Sequence, residues 1–334
     1  MHVAVLGGGS WGTTVAHLAA HNHPTCLWLR DAELAAHIDE HHQNPRYLPG
    51  HPLHPDIRAT GDMAAALTDA DVVVMGVPAQ AYRAALEQVG EHIRPFTPIV
   101  SLAKGLEQGT RLRMSQVTAE VLPSHPAGVL TGPNLAKEIV AGDAAAAVIA
   151  MTDPALAQGL QGVFTTNWFR VYTNHDVAGC EVGGALKNVI ALASGMADGL
   201  GTGDNTRAAV ITRGLAEITR VGVAMGGDPT TFAGLAGMGD LLATCSSTQS
   251  RNRYVGEQLG RGRSIEDIVA EMDQVAEGVK TVPVVVELAR EHDVEVPITE
   301  HVHRVLLGEQ SAAEAYEGLL RRRMRHESEP TTEW

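Results

Sequence analysis

Residues 3–30 read VAVLGGGSWGTTVAHLAAHNHPTCLWLR, and this stretch decides the fold. Val3–Leu6 is a short apolar run, and Gly7-Gly8-Gly9-Ser10-Trp11-Gly12 follows at once. A helix pattern then covers Gly12–His21, and a second strand pattern covers Thr25–Arg30. Strand, glycine turn, helix and strand in about thirty residues is the context that makes a GxGxxG spacing a dinucleotide-binding signal. Each glycine has its own task. Gly7 permits the tight turn, Gly9 lets the backbone reach a pyrophosphate, and Gly12 lets the helix approach the sheet. The helix start, with its unpaired N–H groups, then faces the phosphate charge.

The end of the second strand bears on the cofactor. An NAD site usually places Asp or Glu there for the ribose 2′-hydroxyl. Here Arg30 ends the strand pattern and Asp31 follows. A guanidinium suits a 2′-phosphate, so NADPH is expected, with NADH also accepted.

The alternation continues down the chain. Strand patterns occur at Asp71–Val77, Pro98–Leu102, Gly128–Thr131, Ala145–Met151 and Phe169–Tyr172, with a helix pattern at Ala79–His92. Alternating strands and helices imply a doubly wound, mostly parallel sheet whose ligands lie at the carboxyl ends of its strands. Lys104 and the turn Gly132-Pro133-Asn134 both fall at such ends. After Asn174 the pattern turns helical, from a helix capped by Asp176 and reaching about Ala197 to a last one opened by the capping box Ser311/Glu314. The expected organisation is therefore α/β: an N-terminal Rossmann-type domain at 1–176, a C-terminal all-α domain at 177–320, and a disordered tail at 321–334.

The stretch at 180–207, CEVGGALKNVIALASGMADGLGTGDNTR, carries Lys187 in an otherwise uncharged run from Val182 to Ala197. A lysine in an apolar helix ordinarily runs its stem out to solvent. Here a dinucleotide turn upstream and a phosphate-suited turn downstream call instead for a reactive group. Ala191, Ser194 and Gly195 share its face with Asp198, where small residues would admit the other domain or the cofactor. Three turns of the second half carry polar groups that packing does not need: Gly237–Leu241 with Asp240, Ser250–Arg253 at a helix start, and Val275–Gly278 with Glu277.

Composition excludes several classes. A net charge of −14 over 334 residues argues against a general nucleic-acid surface. Cys26, Cys180 and Cys245 show no metal-like spacing, which points to a reduced compartment and no metal site. No apolar run reaches membrane-spanning length, and MHVAVLGGG enters a strand without a signal-peptide pattern. A cytoplasmic protein is expected.

Six motifs, taken with GGGSWG at 7–12, carry a resemblance: LAKGLE at 102–107, GPNLAKE at 132–138, ALKNVIALASGMADGLGTGDNTRAA at 185–209, GMGDLLATC at 237–245, SRNR at 250–253 and AEGVKT at 276–281. In order and spacing the chain resembles the soluble bacterial NAD(P)-dependent glycerol-3-phosphate dehydrogenases, to about residue 308. That resemblance implies NAD(P)H-dependent, reversible reduction of dihydroxyacetone phosphate to sn-glycerol 3-phosphate, which feeds glycerophospholipid synthesis. It implies Lys187 as general acid/base, with Lys104 and Asp240 beside it in catalysis. Gly7, Gly9, Ser10, Trp11, Gly12, Arg30, Lys104, Ala136, Arg251, Val275 and Glu277 would hold NADPH or NADH. Lys104, Gly132, Asn134, Lys187, Asp240, Ser250, Arg251 and Asn252 would hold the substrate. Where such enzymes often have Ser or Thr this chain has Asn134, and Arg207 stands where lysine is usual. A homodimer is implied by analogy.

The chemistry is consistent with these residues. Hydride addition to a carbonyl builds negative charge on oxygen, which a placed ammonium can stabilise and protonate. A β-hydroxyacid dehydrogenase of related two-domain architecture and a non-catalytic NAD(P)H sensor are the alternatives. A nucleotide-sugar dehydrogenase would need a nucleophilic cysteine turn, which the chain lacks.

Overall fold

A computed structural model describes residues 1–272 and 276–321. Val275 and the tail from residue 322, both part of the expectations above, lie outside the described residues. The chain divides into two compact units: Met1–Glu107 with Leu112–Glu181, and Gln108–Arg111 with the chain from Val182 onward.

The first unit is built on β1 (Val3–Leu6), β2 (Thr25–Trp28), β3 (Ile57–Thr60), β4 (Val72–Met75), β5 (Ile99–Ser101), β6 (Ala127–Thr131), β7 (Ala145–Met151) and β8 (Phe169–Asn174). Its helices are α1 (Ser10–Ala20), α2 (Ala32–His41), α3 (Met63–Leu67), α4 (Tyr82–Gly90), α5 (Met114–Val121), α6 (Ala136–Val140) and α7 (Pro154–Phe164). The eight strands form one sheet in the order β3-β2-β1-β4-β5-β6-β7-β8. All pairs are parallel except β6 with β7.

Both faces of the sheet are covered, which is why β1 and β4 are continuous apolar runs. Val3, Val5, Val72 and Val74 enter one core, while Ala4, Leu6, Val73 and Met75 enter the other. The strand order reverses at β1, so the switch point lies between β1 and β4, beside the glycine turn. The second strand is shorter than its sequence pattern. It ends at Trp28, opposite Leu6 and Thr60, the last residues of β1 and β3, and Asp31 then caps α2 by accepting from Leu34 N at 3.0 Å. Arg30 therefore lies in the connection beyond the strand.

The segment 42–54 lies along α1 and is fastened to it at both ends. Near the glycine turn, Asn44 Nδ2 donates to Gly8 O and Thr13 Oγ1, both at 2.9 Å, and Ser10 Oγ donates to Tyr47 O at 3.1 Å. At the far end His54 N donates to His17 Nδ1 at 3.0 Å. That bond makes Nδ1 an acceptor, so the proton of a neutral His17 sits on Nε2, 3.4 Å from His21 Nε2.

The second unit is helical: α8 (Val177–Gly199, which begins in the first unit), α9 (Asp204–Ala224), α10 (Pro229–Phe232), α11 (Asp240–Ser246), α12 (Arg251–Gly260), α13 (Ile265–Ala270), α14 (Glu277–Glu291), α15 (Pro297–Leu306) and α16 (Ala312–Leu320). Residues 179–197 of α8 are all buried, the pattern of a helix surrounded on every side. Its neighbours come in at backbone distance. A Cβ on Gly195 would meet Arg253 O at 2.0 Å, and one on Gly256 would meet Leu192 O at 2.0 Å. Gly199 and Gly260 repeat the arrangement one turn on. The small face of α8 thus admits α12 of its own unit, where the sequence suggested the other domain or a cofactor. Glu217 of α9 caps α15, accepting from Ile298 N at 2.6 Å and Thr299 N at 3.1 Å, and burial pushes its carboxyl up to about 7. The capping box at Ser311/Glu314 is present as expected.

Burial, helped by the nearby His21 and His54, lowers the His17 imidazole from 6.5 to about 4. A base whose folded pKa lies below its unfolded value stabilises the fold fully above pH 6.5 and loses that contribution as pH falls towards 4. The contribution at stake is on the order of 3 kcal/mol. His17→Asn keeps an acceptor near the Nδ1 position but does not titrate. The stability difference between wild type and this variant, followed by chemical denaturation, should therefore shrink or reverse across that window. A difference independent of pH would remove His17 as a titrating lock.

Candidate active site

In the first unit the glycine turn has the shape that a pyrophosphate needs. Gly7 adopts φ +122°, and a Cβ there would lie 2.4 Å from Gly76 O. A Cβ on Gly12 would lie 2.0 Å from Gly7 O, so only glycine lets α1 sit this close to the sheet. Gly9 faces open space, and no side chain caps the first turn of α1. A bare, uncapped helix start beside open space fits a dinucleotide phosphate. Trp11 packs against Phe169, its ring centroid 6.3 Å away, and leaves its buried indole Nε1 without a partner. Ala136 opens α6, and its carbonyl accepts from Thr14 Oγ1 of α1 at 3.3 Å.

The turns after β5 and β6 meet. Lys104 Nζ donates to Gly132 O at 2.9 Å, and Gly132 holds φ +129° to make that turn. Both amide atoms of Asn134 are buried with no hydrogen-bond partner. A buried amide in this state keeps both a donor and an acceptor available to a ligand.

In the second unit Lys187 does not run out to solvent. It is 5% exposed, and its ammonium lies 2.9 Å from Asp240 Oδ1 and donates to Thr244 Oγ1 at 2.5 Å. Thr244 Oγ1 in turn donates to Asp240 O at 2.7 Å. Local structure explains why these groups converge. Gly237–Leu241 is not the turn that the sequence suggested. Leu235–Gly239 is a π-helical segment running straight into α11, which puts Asp240 in its first turn and Thr244 one turn later. The π-helical backbone approaches α8 at Gly183, where a Cβ would meet Ala236 O at 2.8 Å.

A second chain of bonds joins three helices. Asn252 Nδ2, in the first turn of α12, donates to Asn188 Oδ1 at 2.9 Å, and Asn252 Oδ1 accepts from Gly278 N at 3.0 Å. Glu277 is therefore not in a loop, as expected from sequence, but in the first turn of α14. Ser250 caps α12 by accepting from Arg253 N at 3.2 Å. Arg251 stays open to solvent at the helix start, although its surroundings draw its pKa down by desolvation while Glu277 opposes the shift. Arg253 instead pairs inward with Asp198, Nη2 to Oδ2 at 2.7 Å.

Sequence reasoning missed Thr244 and Asn188. The signal for each was present: Thr244 stands four residues after Asp240, and Asn188 stands beside Lys187, in motifs already singled out. The surroundings of the three cysteines disfavour the thiolate that a nucleophile needs. Burial pushes Cys26 up to about 11 and Cys245 up to about 12, and raises Cys180 further, so all three are thiols. Among the described residues no group of three or more His, Cys, Asp or Glu could hold a metal ion.

A doubly wound sheet with a dinucleotide cradle, and a helical unit with a buried, carboxylate-paired lysine, define a two-domain nicotinamide-dependent dehydrogenase. Residues 2–157 match the model of the NAD-dependent glycerol-3-phosphate dehydrogenase N-terminus, and residues 176–317 match that of its C-terminus. The chain belongs to the NAD-dependent glycerol-3-phosphate dehydrogenase family. It is 54% identical over 330 residues to glycerol-3-phosphate dehydrogenase [NAD(P)+] 2 of Sphingopyxis alaskensis, covering 99% of each chain. It is 55% identical over 319 residues to glycerol-3-phosphate dehydrogenase [NAD(P)+] of Mycobacterium avium, covering 95% of this chain and 94% of that one. A crystal structure of the Coxiella burnetii glycerol-3-phosphate dehydrogenase superposes with a TM-score of 0.91 at 36% identity, covering 96% of this chain and 99% of that one. These matches do not favour the β-hydroxyacid dehydrogenase or sensor alternatives.

The geometry assigns Thr244 a testable part. Thr244→Val keeps the shape but removes the hydroxyl that bridges the Lys187 ammonium to the Asp240 carbonyl. Loss of one hydrogen bond to a charged group is worth roughly 1.5–3 kcal/mol. The expected result is kcat lowered by at least about tenfold with an unchanged cofactor Kd. Wild-type kcat in a folded Thr244→Val would make the contact incidental.

Proposed function

We infer that the chain catalyses the reversible, NAD(P)H-dependent reduction of dihydroxyacetone phosphate to sn-glycerol 3-phosphate. The observation that carries this reading is the buried Lys187 ammonium held by Asp240 and Thr244 in a chain of this family. When bound, the reduced nicotinamide supplies the hydride that converts the substrate's carbonyl carbon to an alcohol carbon. The cofactor would be held by Gly7, Gly9, Ser10, Trp11, Gly12 and Ala136, with Arg30 towards its ribose; Arg251 and Glu277 are assigned to it as well. The open face of Gly9 and the uncapped start of α1 support this placement.

The chain's own residues do the rest. As negative charge grows on the substrate oxygen, Lys187 Nζ stabilises it and gives it a proton. The resulting neutral amine regains its proton from solvent. In the reverse direction that amine accepts the proton of the substrate hydroxyl. Two of the three donors of the ammonium are spent on Asp240 and Thr244, which fixes the direction of the remaining one. Asp240 supplies the negative charge that makes a buried cation tolerable. Lys104, Gly132 and Asn134 are assigned to the substrate as well, Asn134 through its unpartnered amide. Ser250, Arg251 and Asn252 receive the phosphate at the start of α12, where backbone N–H groups and a guanidinium suit an anion.

The helical unit supports a homodimer by analogy. Among the described residues no helix is long and apolar enough to cross a membrane. We place the enzyme in the cytoplasm, where glycerol 3-phosphate would enter glycerophospholipid synthesis.

Following NAD(P)H absorbance with dihydroxyacetone phosphate tests the activity directly. Lys187→Ala should lower kcat by at least about a thousandfold while the cofactor still binds. Wild-type-like turnover in that variant would remove the acid/base assignment. Arg251→Ala should raise KM for the phosphorylated substrate at least about tenfold, and far more than it weakens the cofactor. If neither constant changes, α12 does not hold the phosphate.

A further inference from the structure

The segment 42–54 brings one more cation towards the adenosine end of the dinucleotide site. Its anchors at Gly8, Ser10 and Thr13 tie Asn44 and Tyr47 to the glycine turn. Between those two residues, Arg46 Nη1 lies 3.6 Å from Asp31 Oδ2, one residue past Arg30. Arg46 is thus bracketed by the start of α1 and by the connection after β2. In a doubly wound site those two places border the pyrophosphate and the adenosine ribose. Its guanidinium lies over the Tyr47 ring, 5.3 Å from the ring centre, a cation–π contact, while 62% of the side chain stays exposed.

The acid that a ribose diol would need is engaged elsewhere. Asp31 Oδ1 caps α2 through Leu34 N, and Oδ2 faces Arg46. An exposed pair at this separation costs little to open. A phosphate monoester carries more charge than a carboxylate and three acceptor oxygens suited to a planar guanidinium fork.

We propose that Arg46 is a second cation of a 2′-phosphate subsite, acting with Arg30, and that Asp31 competes with the phosphate for it. Arg46 and Asp31 then set the discrimination between NADPH and NADH. This rests on the reading that Arg30 faces the ribose 2′-phosphate.

The test uses the full chain and measures Kd for NADPH and NADH by cofactor fluorescence, with adenosine 2′,5′-bisphosphate and 5′-AMP as competing fragments. Arg46→Ala should raise the ratio of the NADPH Kd to the NADH Kd by about tenfold, as loss of one charge-assisted contact implies. It should weaken the bisphosphate more than AMP. Asp31→Asn keeps a competent helix cap but removes the rival charge, and should lower the ratio severalfold. If Arg30→Ala shifts the ratio and Arg46→Ala does not, the role of Arg46 is overturned while the Arg30 reading stands. If neither shifts it, the 2′-phosphate reading fails as a whole. Equal weakening of both cofactors by Arg46→Ala would make the residue a support of the segment and overturn its part in selectivity.

Discussion

The helical unit depends on one electrostatic constraint: an ammonium placed inside a helix that is buried on all sides must be paid for by an opposite charge at contact distance. Lys187 and Asp240 meet at 2.9 Å with both side chains almost wholly enclosed. Removing one partner from such a pair typically costs about 3–5 kcal/mol, because the other charge is stranded. The surroundings of α8 follow from that need. Gly183 lets the π-helical segment come close enough to deliver Asp240, and Thr244 follows one turn behind it. Asn188, the next residue along α8, receives Asn252, which in turn holds the first turn of α14. Lys187, its counter-charge Asp240 and the start of α12 are therefore parts of one packed cluster.

The first unit was legible in residues 3–30 because its physics is local. A glycine with positive φ, an open glycine and a glycine under a helix leave a spacing that can be read directly. The short strands β1, β4 and β7 were equally plain, since burial on both faces demands unbroken apolar runs. Strand β3 was not seen: Ile57–Thr60 is an edge strand with only its first residue buried, so its sequence IRAT carries no apolar signal. The end of β2 was misplaced for a related reason. Leu29 and Arg30 continue the pattern, but pairing with β3 stops at Thr60, opposite Trp28, and the chain then enters α2.

In the second unit the sequence singled out Lys187 and Asp240 but did not show how they are held. Lys187 drew attention as a cation in an apolar run, and Asp240 as a carboxylate among glycines. Two glycines around Met238 suggested a turn, whereas the backbone winds there as a wide helix packed on α8. Glycine signals flexibility and close approach alike, and only the tertiary partner distinguishes them. Thr244 was passed over because a threonine in an apolar helix usually bonds its own backbone; it does so here, and also receives the lysine.

The glycine seam between α8 and α12 has a geometric meaning beyond packing. Gly195 and Gly199 on one helix, and Gly256 and Gly260 on the other, bring two backbones into direct contact, so no side chain between them can yield. The Lys187 ammonium rides on one helix and the start of α12 on the other. Their separation is therefore set by main chain, like the jaws of a calliper locked at one width. Any ligand that engaged both groups would have to match that fixed width.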